Sequence, residues 1–264
     1  MENKTLTVTN RHNRAYVVQA MPNGKPHAVF DRCTGIYQVN NLRMLRRLKP
    51  NARRIIDVGA NVGINTIEYA TWAQHVEAFE CNNFTFELLQ HNVEANRNRR
   101  CTVGWYQANN NMDLTAEINF HNVALMERNA TAFVQHNQAG LSDYVTYTTG
   151  AQPCSTRTID SYNFTDVDVI KLDTEGTEWL ILQGSDATIR RCRPVVQVEM
   201  WAWERRFGLN NQHMLDYFRS LNYRQVDSAG RPMPWDFAGR ITRAYSIEHF
   251  GNTKSAMDRF FIPA

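Results

Sequence analysis

The feature that most constrains this chain is the run Arg54-Ile55-Ile56-Asp57-Val58-Gly59-Ala60-Asn61-Val62-Gly63-Ile64. Ile55, Ile56 and Val58 are β-branched and put apolar groups on both faces of an extended segment, as a strand covered by helices on both sides of a parallel sheet requires. Gly59 and Gly63 remove side chains where the backbone turns sharply and where a ligand or the next helix comes close. The run therefore predicts a strand, a tight turn and a helix, with amides at the helix start offered to an anionic group.

The spacing selects among ligands. A dinucleotide fingerprint reads G-x-G-x-x-G, whereas here Asp57-x-Gly59-x-x-x-Gly63 places Ala60 and Asn61 where a second early glycine would stand. Pyrophosphate is disfavoured. An acid before the turn, Asp57, suits a cofactor with a positive amino or sulfonium group whose own carboxylate meets the turn amides. S-adenosylmethionine has that form, and Asp57, Gly59, Ala60, Asn61 and Gly63 are its expected contacts.

Val76 to Glu80 reads as the second strand, and Glu80 lies about twenty residues beyond Gly59, where doubly wound folds place a carboxylate for the ribose hydroxyls. A third strand runs through Ile118-Asn119-Phe120. Asn122 and Val123 at its end are placed to bracket the adenine, with a purely structural loop asparagine as the equal alternative.

At 264 residues, with 43% hydrophobic and 21% charged residues, the chain has the makeup of a soluble globule with a packed core. A net charge of +3 is too mild to argue a nucleic-acid partner. The basic run Arg43, Arg46, Arg47, Lys49, Arg53 and Arg54 reads as the solvated face of a helix built on Leu42, Leu45 and Leu48 and stopped by Pro50. The five cysteines, Cys33, Cys81, Cys101, Cys154 and Cys192, form no C-x-x-C pair. They suggest neither a zinc site nor a disulfide framework, and a reducing, cytoplasmic compartment is expected. With no long apolar run and no apolar leader at the N-terminus, neither a membrane span nor secretion by that route is expected.

The rest of the chain alternates strand and helix. Residues 1–38 read as a β-hairpin turning at Pro22-Asn23-Gly24-Lys25-Pro26, between Tyr16-Val17-Val18 and His27-Ala28-Val29-Phe30. A helix is expected over Asn65 to Gln74, and another capped by Asn82, with Phe86, Leu89 and Val93 on one face. Residues 129–158 read as an excursion of β-hairpins near the mouth of the site. Strands at Val167 to Asp173 and Val195 to Val198 follow, with a helix from Thr177 to Gln183 and Glu199 at the end of the second strand. A helix from Gln212 to Leu221 and strands at Tyr223 to Val226 and Arg259 to Ile262 complete an α/β, doubly wound, mostly parallel sheet. Residues 1–50 are expected to flank a single globular unit over 51–264.

The second informative stretch is Ile170-Lys171-Leu172-Asp173-Thr174-Glu175-Gly176-Thr177-Glu178. Lys171 and Asp173 are two apart on one strand and face the same side, unusual inside a parallel sheet. A buried ion pair is one explanation. The other is a site, because Asp173, Glu175 and Glu199 converge by topology at the carboxyl edge, where such folds bind ligands.

These segments, together with Phe79-Glu80-Cys81, Leu182-Gln183-Gly184 and Pro194-Val195-Val196-Gln197-Val198-Glu199, resemble the FkbM family of S-adenosylmethionine-dependent methyltransferases over residues 54–200. Cys81 departs from the family pattern, which has proline there. The resemblance implies the Rossmann-like class I methyltransferase fold, a seven-stranded sheet whose seventh strand runs antiparallel, and O-methylation of hydroxyls on sugars, glycolipids or polyketides. Asp173 is then the candidate general base or hydroxyl orienter, with Lys171 holding it ionised or stabilising a developing alkoxide. Glu175 and Glu199 are candidates to hold the acceptor hydroxyl, bind the cofactor's amino group or ligate a divalent cation, although no acidic pair has a spacing that demands a metal. Trp201 and Trp203 can stack on a sugar face or pack under a loop. The expected acceptor is a carbohydrate or small molecule. The rivals are ribose 2′-O-methylation of RNA and a non-catalytic binding module that kept the fold.

Overall fold

The structure, a computed structural model, describes residues 4–9, 15–20, 38–97, 99–100, 111–112, 114–136, 143–200, 211–233, 235 and 258–264. In chain order the elements are β1 (Lys4–Thr9), β2 (Ala15–Ala20), α1 (Val39–Leu48), β3 (Arg54–Val58), α2 (Ile64–Tyr69), β4 (His75–Phe79), α3 (Asn83–Asn96), β5 (Arg99–Arg100) and β6 (Asn111–Met112). They continue with β7 (Glu117–His121), β8 (Ala124–Leu125), β9 (Ala130–His136), β10 (Asp143–Thr146), β11 (Gln152–Arg157), β12 (Val167–Leu172), α4 (Glu178–Gln183) and α5 (Asp186–Cys192). The last are β13 (Val195–Glu199), α6 (Asn211–Ser220), β14 (Tyr223–Val226) and β15 (Asp258–Pro263).

The central sheet has seven strands in the order β14-β15-β13-β12-β3-β4-β7. β12, β13, β3, β4 and β7 pair in parallel, and β15 runs antiparallel to both of its neighbours. This is the class I methyltransferase sheet. From β3 the chain winds outward through β4 and β7, then returns to β12 on β3's other side. That reversal opens a crevice beyond the carboxyl ends of β3 and β12, the place where doubly wound sheets take ligands.

Alternation along each strand feeds two cores. Ile55, Val76, Val169, Val195 and Phe260 enter one, and Ile56, Phe79, Ile170, Val196 and Phe261 enter the other. Every residue of β12 is buried, as a central parallel strand must be. Helix α1 contributes Leu42, Met44 and Leu45 to the first core, so the apolar face read from the leucine spacing is real. Among the described residues no helix is long and apolar enough to cross a membrane.

Several expectations shift. The N-terminal hairpin pairs β1 with β2, Lys4 opposite Ala20 and Thr9 opposite Ala15, so the chain reverses between Thr9 and Ala15. Lys4-Thr5-Leu6-Thr7-Val8-Thr9 alternates as a strand should, a signal outweighed in the sequence by the prolines at 22 and 26; Pro22 to Phe30 lie outside the described residues. α2 stops at Tyr69 rather than Gln74, because the amides of Thr71 and Trp72 turn back onto the carbonyls of Glu68 and Tyr69 in tighter, three-residue bonds. The third strand ends at His121. Ala124 and Leu125 open a second, four-stranded sheet, β10-β9-β11-β8, in which β8 runs parallel to β11.

Two local devices set the start of α3 and its seat. The Asn82 side chain accepts from the amides of Phe84 at 2.9 Å and Thr85 at 3.1 Å, capping the helix as expected. Gly63 has φ of 91°, and a Cβ there would stand 2.8 Å from Leu89 Cδ1 of α3. Gly63→Ala should therefore destabilise the fold by about 2 kcal/mol, from the left-handed backbone and the clash combined, and Asn82→Ala by about 1 kcal/mol. Urea unfolding measures both, and an unshifted Gly63→Ala midpoint would remove the packing role of that glycine.

Candidate active site

The glycine turn is built against the protein before it is offered to any ligand. Gly59 has φ of 70°, and a Cβ there would lie 2.0 Å from the Asp173 carbonyl oxygen, so only glycine lets the end of β3 approach the end of β12. The amides of Gly59 and Ala60 both donate to the Phe79 carbonyl, at 3.1 and 3.0 Å. The Asn61 amide donates to Glu80 Oε2 at 3.0 Å, the Val62 amide to Asn61 Oδ1 at 2.7 Å and the Gly63 amide to the Ala60 carbonyl at 3.0 Å. The expectation that the turn's amides stand free for an anion is thus corrected. The turn passes over the end of β4, whose last carbonyl and following carboxylate reach those donors first.

Asp57 is also corrected. It is fully buried, its Oδ2 accepts from Thr66 Oγ1 at 2.6 Å, and its Oδ1 lies 3.3 Å from Lys171 Nζ. A carboxylate so enclosed holds the turn from beneath rather than meeting a ligand's positive group. Lys171 is its counterpart. The ammonium, 2% exposed, donates to the Gly59 carbonyl at 2.8 Å and the Val58 carbonyl at 3.3 Å, and lies 3.5 Å from Asp173 Oδ2. Burial works against the charge, but Asp57 and Asp173 outweigh it and hold the lysine above its ordinary range.

Glu80 stands where the spacing placed it. Its Oε2 takes the Asn61 amide and its Oε1 takes the Asn82 amide at 2.9 Å, so it bridges the glycine turn and the start of α3. Loss of solvent pushes its carboxyl up to about 7, against the pull of those two amides. Asn122 is exposed and donates from Nδ2 to the Glu80 carbonyl at 3.0 Å, which is the structural bond, while Val123 packs against the second core. Asn122 therefore lies next to Glu80.

At the end of β12, half-buried Asp173 accepts from Gln38 Nε2 at 3.3 Å on the same Oδ2 that faces Lys171. Burial would raise its carboxyl, but Lys171, Glu199 and Gln38 together hold it below the usual range. Asp173, Glu175 and Glu199 bring carboxylate oxygens within 4.8 Å of one another. The acids that topology sends to the carboxyl edge do meet. Lys171 supplies a positive charge beside Asp173.

The chain matches the Methyltransferase FkbM domain over residues 57–225, more than half its length. It belongs to the FkbM family of S-adenosylmethionine-dependent methyltransferases. No curated protein matches it. Among solved structures it is similar to methyltransferase FkbM from Methylobacillus flagellatus KT, at 15% identity and a TM-score of 0.46, covering 80% of this chain but 44% of that one. A TehB-like SAM-dependent methyltransferase from Corynebacterium glutamicum is 10% identical, with a TM-score of 0.44 and coverage of 91% and 95%. SAM-bound CalS10, an amino pentose methyltransferase from Micromonospora echinaspora, is 17% identical, with a TM-score of 0.35 and coverage of 67% and 56%.

Sequence reasoning missed several residues of this methyltransferase domain's crevice. Gln38, just before α1, joins Asp173 to α2 by accepting from Asn65 Nδ2 at 3.1 Å. It sits in no motif and had no signal. Thr66 and Asn65 follow Gly63 directly, and that adjacency was a usable one. Glu178 closes the Thr174–Glu178 loop on itself, taking the Thr174 amide at 2.8 Å and hydroxyl at 3.0 Å. Asp258 is buried opposite Glu199 in the ladder and accepts from Gln197 Nε2 at 2.9 Å. Burial and the nearby Asp173 charge push its carboxyl up to about 6. Trp201 and Trp203 lie outside the described residues.

A carboxylate accepts hydroxyl hydrogen bonds better when ionised than when protonated, and Glu80 is the acid expected to face the ribose. S-adenosylhomocysteine affinity should therefore fall as pH drops through about 7, approaching roughly tenfold per pH unit below the midpoint. Glu80→Gln should bind more weakly at pH 8 and lose that pH dependence. Calorimetric titration across pH 5.5 to 8.5 reads both, and a flat wild-type profile would separate Glu80 from the ribose.

Proposed function

We propose that this protein transfers a methyl group from S-adenosylmethionine to a hydroxyl of a carbohydrate or small-molecule acceptor. One observation carries the reading: Asp173, held ionised, meets Glu175 and Glu199 at the crevice that the turn at Gly59 to Gly63 and the carboxylate of Glu80 border. The polar groups fit the cofactor. Glu80 matches a pair of vicinal hydroxyls, and the loop at Asn122 and Val123 offers an amide and an apolar surface for a flat base.

When bound, the cofactor supplies an electrophilic methyl on a positive sulfur. Asp173 accepts the acceptor's hydroxyl proton as a hydrogen bond and aims the oxygen lone pair along the line of displacement, where alignment supplies most of the rate. A carboxylate held below its usual range is a weak base toward a neutral alcohol. It suffices here, because the oxygen becomes strongly acidic as its bond to carbon forms, and the proton then passes to Asp173. Lys171 keeps Asp173 charged until that moment. Glu175 and Glu199 take the remaining donors of the acceptor.

Residues 51–264 form the catalytic unit in this reading, with residues 1–50 as a flank whose α1 is continuous with the core, in a reducing cytoplasmic setting. The RNA alternative loses support from part of the basic run. Arg53 is tied to Asp168, and Arg54 to Asp166 and Glu77, all near the amino ends of the strands and away from the crevice.

Asp173→Asn should keep S-adenosylhomocysteine affinity within about threefold and lose turnover by 100-fold or more, the usual scale for removing a proton acceptor. Labelled methyl transfer onto a panel of sugars, small alcohols and short RNAs measures turnover and acceptor class together. Unchanged turnover would take Asp173 out of the reaction, and transfer confined to RNA would replace the acceptor proposed here.

A further inference from the structure

With Asp57 turned inward onto Thr66 and Lys171, the charged amino-acid end of S-adenosylmethionine needs other partners. Asn65, the second residue of α2, is placed to be one. Its side chain is buried, and its Oδ1 has no hydrogen-bond partner among the described residues. A buried carbonyl oxygen left unpaired costs the fold its desolvation, which a donor from a ligand offsets. The same carboxamide is tied to the acid edge. Asn65 Nδ2 donates to Gln38 Oε1 at 3.1 Å, and Gln38 Nε2 donates to Asp173 Oδ2 at 3.3 Å.

Gln38 holds that bridge from a disfavoured backbone. Its φ of 48° and ψ of 32° are left-handed values that a residue with a Cβ seldom adopts, and its side chain does not cap the helix that follows. The side chain instead spans the crevice, offering an oxygen to Asn65 and an N–H to Asp173. A carboxylate oxygen and a hydroxyl group present the same pair of functions.

We propose that Asn65 binds the amino-acid end of S-adenosylmethionine, Nδ2 donating to its carboxylate and Oδ1 accepting from its ammonium, and that Gln38 is a stand-in displaced when the substrates enter. Gln38 Oε1 gives way to the cofactor's carboxylate, and Gln38 Nε2 gives way to the acceptor's hydroxyl at Asp173. At Asn65 the exchange replaces a neutral hydrogen bond with a charge-assisted one, which is the stronger. Gln38 thereby couples the two halves of the site, since its release for one substrate clears the way for the other. The assignment of Asn65 rests on S-adenosylmethionine as the cofactor and not on the class of acceptor.

The whole protein is titrated by calorimetry at pH 8 with S-adenosylhomocysteine and with 5′-methylthioadenosine, which keeps the nucleoside and the sulfur but lacks the amino-acid end. A weak ligand is read by competition. Gln38→Ala removes the carboxamide and keeps a Cβ on the left-handed backbone. It should bind S-adenosylhomocysteine at least about threefold more tightly than wild type, because one hydrogen bond no longer has to be broken. Asn65→Ala should bind it about tenfold more weakly. Affinity for 5′-methylthioadenosine should be unchanged in both. Should Asn65→Ala fail to fold, Gln38→Ala decides alone, since its selective gain exists only if the amino-acid end takes the place of that carboxamide. A Gln38→Ala protein that binds S-adenosylhomocysteine no better than wild type, or parallel changes for the two ligands, would overturn the site. Wild-type protein that binds neither ligand would refute the cofactor and this site with it, an outcome distinct from both ligands binding without a selective change.

Discussion

The architecture depends on one buried cation. Lys171 sits inside the sheet between two carboxylates, Asp57 at 3.3 Å and Asp173 at 3.5 Å, and donates to the Gly59 carbonyl at 2.8 Å. A charge so enclosed is tolerated only when partners surround it, because the desolvation penalty otherwise exceeds what a single ion pair returns. Here the partners are the parts of the site. Asp57 is the residue before the turn, Gly59 is the turn, and Asp173 is the acid at the crevice, so the lysine ties the ends of adjacent strands β3 and β12 into one rigid edge.

That arrangement also sorts the acids of the crevice by proton affinity. Burial pushes Asp258 and Glu80 upward, to about 6 and about 7. Half-buried Asp173 is drawn the other way by Lys171, Glu199 and Gln38. Neighbouring carboxylates thereby differ in how readily they take up a proton, as acids at a functional edge commonly do. The one drawn below its usual range is the one beside the lysine.

Much of this was legible because it is local. The apolar run into Gly59, the acid at the end of the second strand and the Asn82 cap each follow from short-range geometry, and the structure places all three accordingly. The destination of the turn's amides was not legible. Whether Gly59 and Ala60 bond a ligand or the Phe79 carbonyl depends on how close the end of β4 lies, and that is a tertiary fact. Gln38 was invisible for the same reason, 135 positions from the acid it touches. The pairing of β1 with β2 is hard to read because prolines are loud in a sequence, whereas threonines alternating with Leu6 and Val8 are quiet. Asp57 stands out in the sequence as the acid before the turn, but that Lys171 of the neighbouring strand answers its charge is a tertiary fact.

The role of Lys171 as the tie beneath the turn is tested most directly by a double-mutant cycle on unfolding free energy with Lys171→Met and Asp57→Asn. Lys171→Met alone leaves carboxylates uncompensated in the interior and should cost about 3–5 kcal/mol, whereas adding Asp57→Asn to it should recover part of that loss. A Lys171→Met protein as stable as the wild type, with no coupling to Asp57, would contradict the account.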